Sequence, residues 1–125
     1  MSSQDHAASD PQLKRWYGAF NRHWFNSELP DDVVIFWEPA HGNLGECEVD
    51  EDDKYSNHHL FEDGEWLIRI DPCLRFSSTI SKLTLLHEMV HVRTSMAKPS
   101  YQGHGAPFQR EMLRLATIGA LKKLW

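Results

Sequence analysis

The chain has 125 residues, 41% hydrophobic and 25% charged, which is the balance of one globular domain able to bury a core without disulfide or metal staples. No apolar run approaches the roughly 20 residues of a membrane helix, and residues 1–10 are polar with no secretory character, so a membrane role is set aside and the cytoplasm is the expected location. The net charge of −5 argues against a general nucleic-acid binder.

That charge is unevenly spread. Residues 28–65 carry 13 acids and one base, whereas residues 66–125 carry nine bases and three acids. The second half keeps room for a local phosphate-contacting patch, although two solvated faces are the plainer account. Cys47 and Cys73 form no C-x-x-C pair, so no zinc ribbon lies within the chain. They read as reduced, partly buried thiols, with Cys73 a small buried hydrophobe. A disulfide between them is left open.

Residues 1–10 read as a loose tail before one domain over residues 11–125. Asp10-Pro11 predicts a helix start, with Asp10 as N-cap and Pro11 in the first turn. Leu13, Trp16, Tyr17, Phe20 and Trp24 then recur at three- and four-residue steps, the stripe of an amphipathic helix ending near Asn26-Ser27. Val33-Val34-Ile35-Phe36-Trp37 is β-branched and aromatic and predicts a strand, stopped by Pro39. Residues 43–49 suggest a thinner second strand. The acidic run 50–53 is not a calcium loop, because Lys54 and Tyr55 stand where ligands and a glycine are needed. Trp66-Leu67-Ile68-Arg69-Ile70 predicts a third strand between Asp63-Gly64 and Asp71-Pro72. Trp37 and Trp66 suit either sheet packing or the lining of a cleft.

A second helix is predicted from Ser78, with Ile80, Leu83, Leu86 and Val90 as its stripe, ending before Lys98-Pro99. A third starts at Ala106-Pro107 and buries Phe108, Met112, Leu115 and Leu121. The order helix, strands, helix, helix predicts an α+β fold with three helices and a short, mainly antiparallel sheet.

His87-Glu88-Met89-Val90-His91 is an H-E-x-x-H motif on the second helix. Residues four apart share a helix face, so both imidazoles can reach one ion. Glu88 is rotated roughly 100° from His87, so it borders the ion without having to ligate it and suits a general base. A catalytic zinc takes three protein ligands and leaves a position for water. His104, flanked by Gly103 and Gly105, is the favoured third ligand, because glycines let the backbone bend tightly there. Glu111 on the third helix is the other candidate, or else an acceptor for a ligand N–H, or a plain solvent-facing residue. Tyr101, His58 and His59 are candidates to stabilise an oxyanion.

Residues 83–91, with His104-Gly105-Ala106-Pro107-Phe108, resemble the SprT-like (Spartan-type) family of zinc metallopeptidases. In that family H-E-x-x-H is followed by a His-Gly-x-x-Phe element that supplies the third ligand. Residues 20–30, ending in Leu29-Pro30, resemble its opening helix, and residues 68–74 its last strand and following turn. The resemblance implies a zincin-like core, His87, His91 and His104 as zinc ligands, and Glu88 as catalytic base. It also implies protein substrates, notably ones crosslinked to DNA, often with activity promoted by DNA, and the basic C-terminal half separately suggests contact with single-stranded DNA. A nuclear or nucleoid-associated location would follow from such a link. With no cysteine ribbon, the expectation is a bare catalytic core. Two other functions stay open: a zinc-binding interaction domain without catalysis, and a zinc hydrolase of a non-peptide substrate.

Overall fold

A computed structural model describes residues 9–39, 45–49, 66–97 and 104–122, with 45–49 and Ala97 by backbone alone. The first helix, α1 (Pro11–Trp24), begins where the sequence places it. Asp10 is extended and its carboxylate accepts from the Leu13 N–H at 3.0 Å, with Pro11 opening the first turn. Leu13 and Tyr17 are buried, and Trp16, Phe20 and Trp24 pack beside them.

After α1 the chain turns through Asn26 and Ser27, both at positive φ (52° and 60°). Asparagine tolerates that region, whereas serine carries a steric cost there. Three side chains of α1 hold the returning segment. Asn21, 3% exposed, donates through Nδ2 to the Leu29 carbonyl (3.0 Å) and accepts at Oδ1 from the Leu29 N–H (3.1 Å). Tyr17 donates its hydroxyl to the Pro30 carbonyl (2.6 Å), and Lys14 donates to the carbonyls of Asp31 and Val33. Two of these three side chains, Asn21 and Lys14, are ones that the apolar stripe does not single out.

The strands β1 (Val33–Trp37), β2 (Gly45–Val49) and β3 (Trp66–Ile70) form one sheet in the order β1-β3-β2. β3 runs antiparallel to β2 but parallel to β1. The expected mainly antiparallel sheet is therefore a mixed one. A parallel pair needs a long connection, and residues 38–65, which include β2, supply it. The β1–β3 register sets Val33 beside Trp66 and Ile35 beside Ile68, and these four join the main core. Val34 and Leu67, paired on the opposite face, are buried as well. Both strands are nearly continuous apolar runs because both faces are covered. Ser9 and Asp10 lie along β1: the Ser9 hydroxyl accepts from the Ile35 N–H (2.9 Å) and the Asp10 N–H donates to the Ile35 carbonyl (2.8 Å). That contact satisfies backbone groups at a sheet edge.

A short 3₁₀ turn (Pro72–Phe76), capped by Asp71, follows β3. Of its side chains only Leu74 is buried; Cys73 is an exposed, free cysteine rather than a buried one. One tight turn can aim few residues inward, and here Leu74 takes that place. Asp71 also holds the Cys73 thiol above its usual pKa, chiefly by accepting its hydrogen bond.

The second helix, α2 (Ser78–Ala97), is the central element, packed against α1, β2, β3 and the 3₁₀ turn. Leu85, Leu86, Met89, Val90 and Val92 have no exposed surface, so it is buried on more than one side. Ile80, read as part of its stripe, is 36% exposed because the first turn projects beyond the core. The third helix, α3 (Ala106–Thr117), packs on α2 and buries Phe108 and Leu115. It stops at Thr117, and Gly119 takes φ +90°. Leu121 thus reaches the core from the turn after α3 and not from the helix itself. The α+β architecture is the one the element order predicts. Trp66 is buried in the core, whereas Trp37 is half-buried beneath the Arg75 guanidinium, 4.8 Å from its ring centre.

Candidate metal centre

His87 and His91 stand one turn apart on α2, with ring centres 5.0 Å apart. His104 precedes Gly105, the N-cap of α3, so the packing of α3 on α2 delivers the third imidazole. Gly105 itself sits at φ −75°, ψ −154°, an extended conformation that does not require glycine. Gly103, Tyr101, His58 and His59 lie outside the described residues. The Gln109 side chain donates to the His104 carbonyl (2.9 Å), pinning this entry to α3.

All three rings turn the same atom toward a common point. His104 Nε2 lies 3.0 Å from His91 Nε2 and 3.2 Å from His87 Nε2. Three ligands at 2.0–2.1 Å around a tetrahedral ion would stand about 3.3 Å apart, so little adjustment is needed. A neutral imidazole nitrogen carries either a proton or a lone pair, and three facing nitrogens cannot all satisfy one another. A cation that accepts all three lone pairs does so. His87, His91 and His104 thus form a group that could hold a metal ion.

Burial grades across the site. His91 is buried, His87 half-buried and His104 exposed, so the centre opens to solvent on the His104 side. Burial lowers the His87 pKa below its ordinary value, and the neighbouring His104 lowers it further. Both effects favour the neutral, ligating form. Glu88 follows His87 on α2 and is buried, 4% exposed.

The two candidates for third ligand separate clearly. Glu111 does not join the histidines; its carboxylate pairs with Arg114 (2.5 Å) and its side chain is 13% exposed. It is therefore neither a third ligand nor a plain solvent-facing residue. Arg114 also donates to the Trp24 carbonyl (2.8 Å), tying α3 to the end of α1. Sequence reading places Phe108 in the buried face of the third helix and at the end of the His-Gly-x-x-Phe element without giving it a role, yet its ring centre lies 4.6–5.0 Å from all three imidazoles. The four-residue step from His104 to Phe108 was the available signal.

The basic C-terminal half is partly neutralised from within. Arg69 pairs with Glu38 (2.6 Å) and Arg93 with Glu28 (2.5 Å), both carboxylates coming from the acidic segment. Among the described residues, no helix is long and apolar enough to cross a membrane.

The model of the SprT-like family matches residues 13–123. No curated protein and no solved structure matches the chain.

Proposed function

The chain belongs to the SprT-like family, and on that premise we propose that it is a zinc-dependent metalloendopeptidase with His87, His91 and His104 as zinc ligands and Glu88 as general base. The observation that carries this reading is the convergence of three Nε2 atoms on one point beside a buried Glu88. A zinc ion held there supplies Lewis acidity, lowering the pKa of water toward about 7 and polarising the scissile carbonyl.

The chain's own residues do the rest. The imidazoles bind through Nε2 as neutral donors, a form that burial of His87 already favours. Glu88 takes the proton of the attacking water onto its carboxylate and then passes it to the leaving amine. The exposed His104 side gives a flexible protein segment access. An intact Glu88 speaks against a site used for binding alone, which has no need of that carboxylate.

Contact with single-stranded DNA is part of the same proposal, and its basis is narrower. With Arg69, Arg93 and Arg114 in ion pairs and Arg75 near Asp10 and over Trp37, it falls to exposed cations such as Arg110 and Lys122. DNA-crosslinked proteins are then the substrate class.

The test is cleavage of a flexible protein by the zinc-loaded chain, with and without single-stranded DNA, beside Glu88→Gln. Wild type should cleave, and the variant should hold zinc yet lose roughly 10²–10⁴-fold in rate. A zinc-loaded wild type that cleaves nothing would move the reading to an interaction domain or to a hydrolase of another bond. Lack of DNA binding at low salt would remove the DNA contact.

A further inference from the structure

Resting on the metal-centre reading above, we propose that Phe108 is a positioning residue, which pre-orders the three imidazoles and closes one face of the ligand triangle. Three centre-to-centre distances join the histidine rings: 5.0 Å for His87–His91, 5.1 Å for His87–His104 and 4.7 Å for His91–His104. Three more join Phe108 to them: 5.0 Å to His87, 4.7 Å to His91 and 4.6 Å to His104. All six values fall within 4.6–5.1 Å, so the four rings occupy the corners of a nearly regular tetrahedron. Phe108 must then lie off the plane of the three imidazoles, on one side of it.

Two consequences follow. Phe108 is 6% exposed and belongs to the main core, so the face it covers is closed to water. The ion and its open position are confined to the other face. Each imidazole also meets the phenyl ring at a tilt, 59° for His87, 37° for His91 and 81° for His104. Tilted and edge-to-face contacts are the favoured aromatic arrangements, and they restrict rotation of each ring about its own side chain. Ligands held in place beforehand lose less freedom when the ion arrives, and affinity rises accordingly. Phe108 and His104 sit four residues apart where α3 begins, so the docking of one helix sets both the third ligand and the ring that orders all three.

The experiment compares Phe108→Leu with wild type. Leucine keeps an apolar side chain in the core but removes the flat ring. Zinc affinity is read by chelator competition, and coordination by the visible spectrum of the Co²⁺-loaded protein. The metal-free variant is checked by cooperative thermal unfolding. The expected result is a folded variant with zinc affinity reduced about 10–100-fold, the range typical of lost outer-shell support, and an altered Co²⁺ spectrum. Affinity within 3-fold of wild type, together with an unchanged spectrum, would overturn the proposal. If the leucine variant does not fold, NMR relaxation of the imidazoles in metal-free wild type decides instead: rings as ordered as the α2 backbone support the proposal, and freely reorienting rings overturn it. A wild type that binds neither Zn²⁺ nor Co²⁺ would refute the metal centre itself, which is a separate outcome.

Discussion

Replacing Asn21 by alanine should be among the most damaging single changes in this protein, although Asn21 is far from conspicuous in the sequence. Its amide makes two hydrogen bonds to Leu29, one to the carbonyl and one from the N–H, at 3.0 and 3.1 Å. Both residues are 3% exposed. Alanine leaves two backbone groups without partners, and each such buried group costs about 1–3 kcal/mol. Water entering the space left by the amide would recover part of this, so the net loss is about 2–4 kcal/mol. Domains of this kind are stable by only about 5–15 kcal/mol. The midpoint of urea unfolding should therefore fall substantially at an unchanged slope, and the melting temperature should fall by roughly 6–16 °C. Asn21→Asp gives a sharper control. It keeps the acceptor for the Leu29 N–H but faces the Leu29 carbonyl with a buried carboxylate. It should be at least as unstable as alanine at pH 7 and gain stability relative to wild type on acidification, when its protonated form can donate again. An alanine variant within about 0.5 kcal/mol of wild type would refute the reasoning that side-chain pairing holds this loop.

Two further predictions concern the centre. His104→Ala should weaken metal binding by more than the roughly 10–100-fold typical of an outer-shell loss, whereas Glu111→Gln should leave it within a few-fold. The Glu111 change should instead cost on the order of 1 kcal/mol of stability, since its partner Arg114 is 38% exposed and the pair is partly screened. Equilibrium dialysis and urea unfolding on the same samples separate the two effects. The pH dependence of the metal-free form has a definite sign. The His87 pKa lies below its ordinary value in the fold, so the unfolded chain takes up the proton first as pH falls through about 6.5. Stability from this group is full above that pH and declines below it. Between pH 7 and pH 5, metal-free His87→Gln should lose less stability than metal-free wild type; an equal or steeper loss would refute the assignment.

Much of the local structure was legible along the chain because it is decided by neighbours in sequence. The Asp10-Pro11 start of α1, the strands Val33–Trp37 and Trp66–Ile70, and the start of α2 follow from capping chemistry and side-chain periodicity. The four-residue spacing of His87 and His91 determined that they share a face, since helix geometry alone requires it. The sequence also favoured His104 over Glu111, although Gly105 turns out to need no special backbone freedom.

The remaining features depend on which distant segments meet. Pairing of β1 with β3 in parallel depends on which strands meet in the fold, and a strand's own composition does not reveal its direction. Burial of Leu74 over Cys73 and exposure of Ile80 depend on where the core ends. The pairing of Glu111 with Arg114 is local, but the hydrogen bond from Arg114 to the Trp24 carbonyl joins α3 to the end of α1 only in the folded chain. Arg69 and Arg93 find carboxylates from the acidic segment only once the chain has folded. The residue types of the candidate metal centre were therefore written in the sequence, because histidine suits metal coordination and helical spacing pairs two of them. Their convergence at 3.0–3.2 Å, and the phenyl ring against all three, were decided by the packing of α3 on α2, because only tertiary contact fixes distances between segments that no local rule connects.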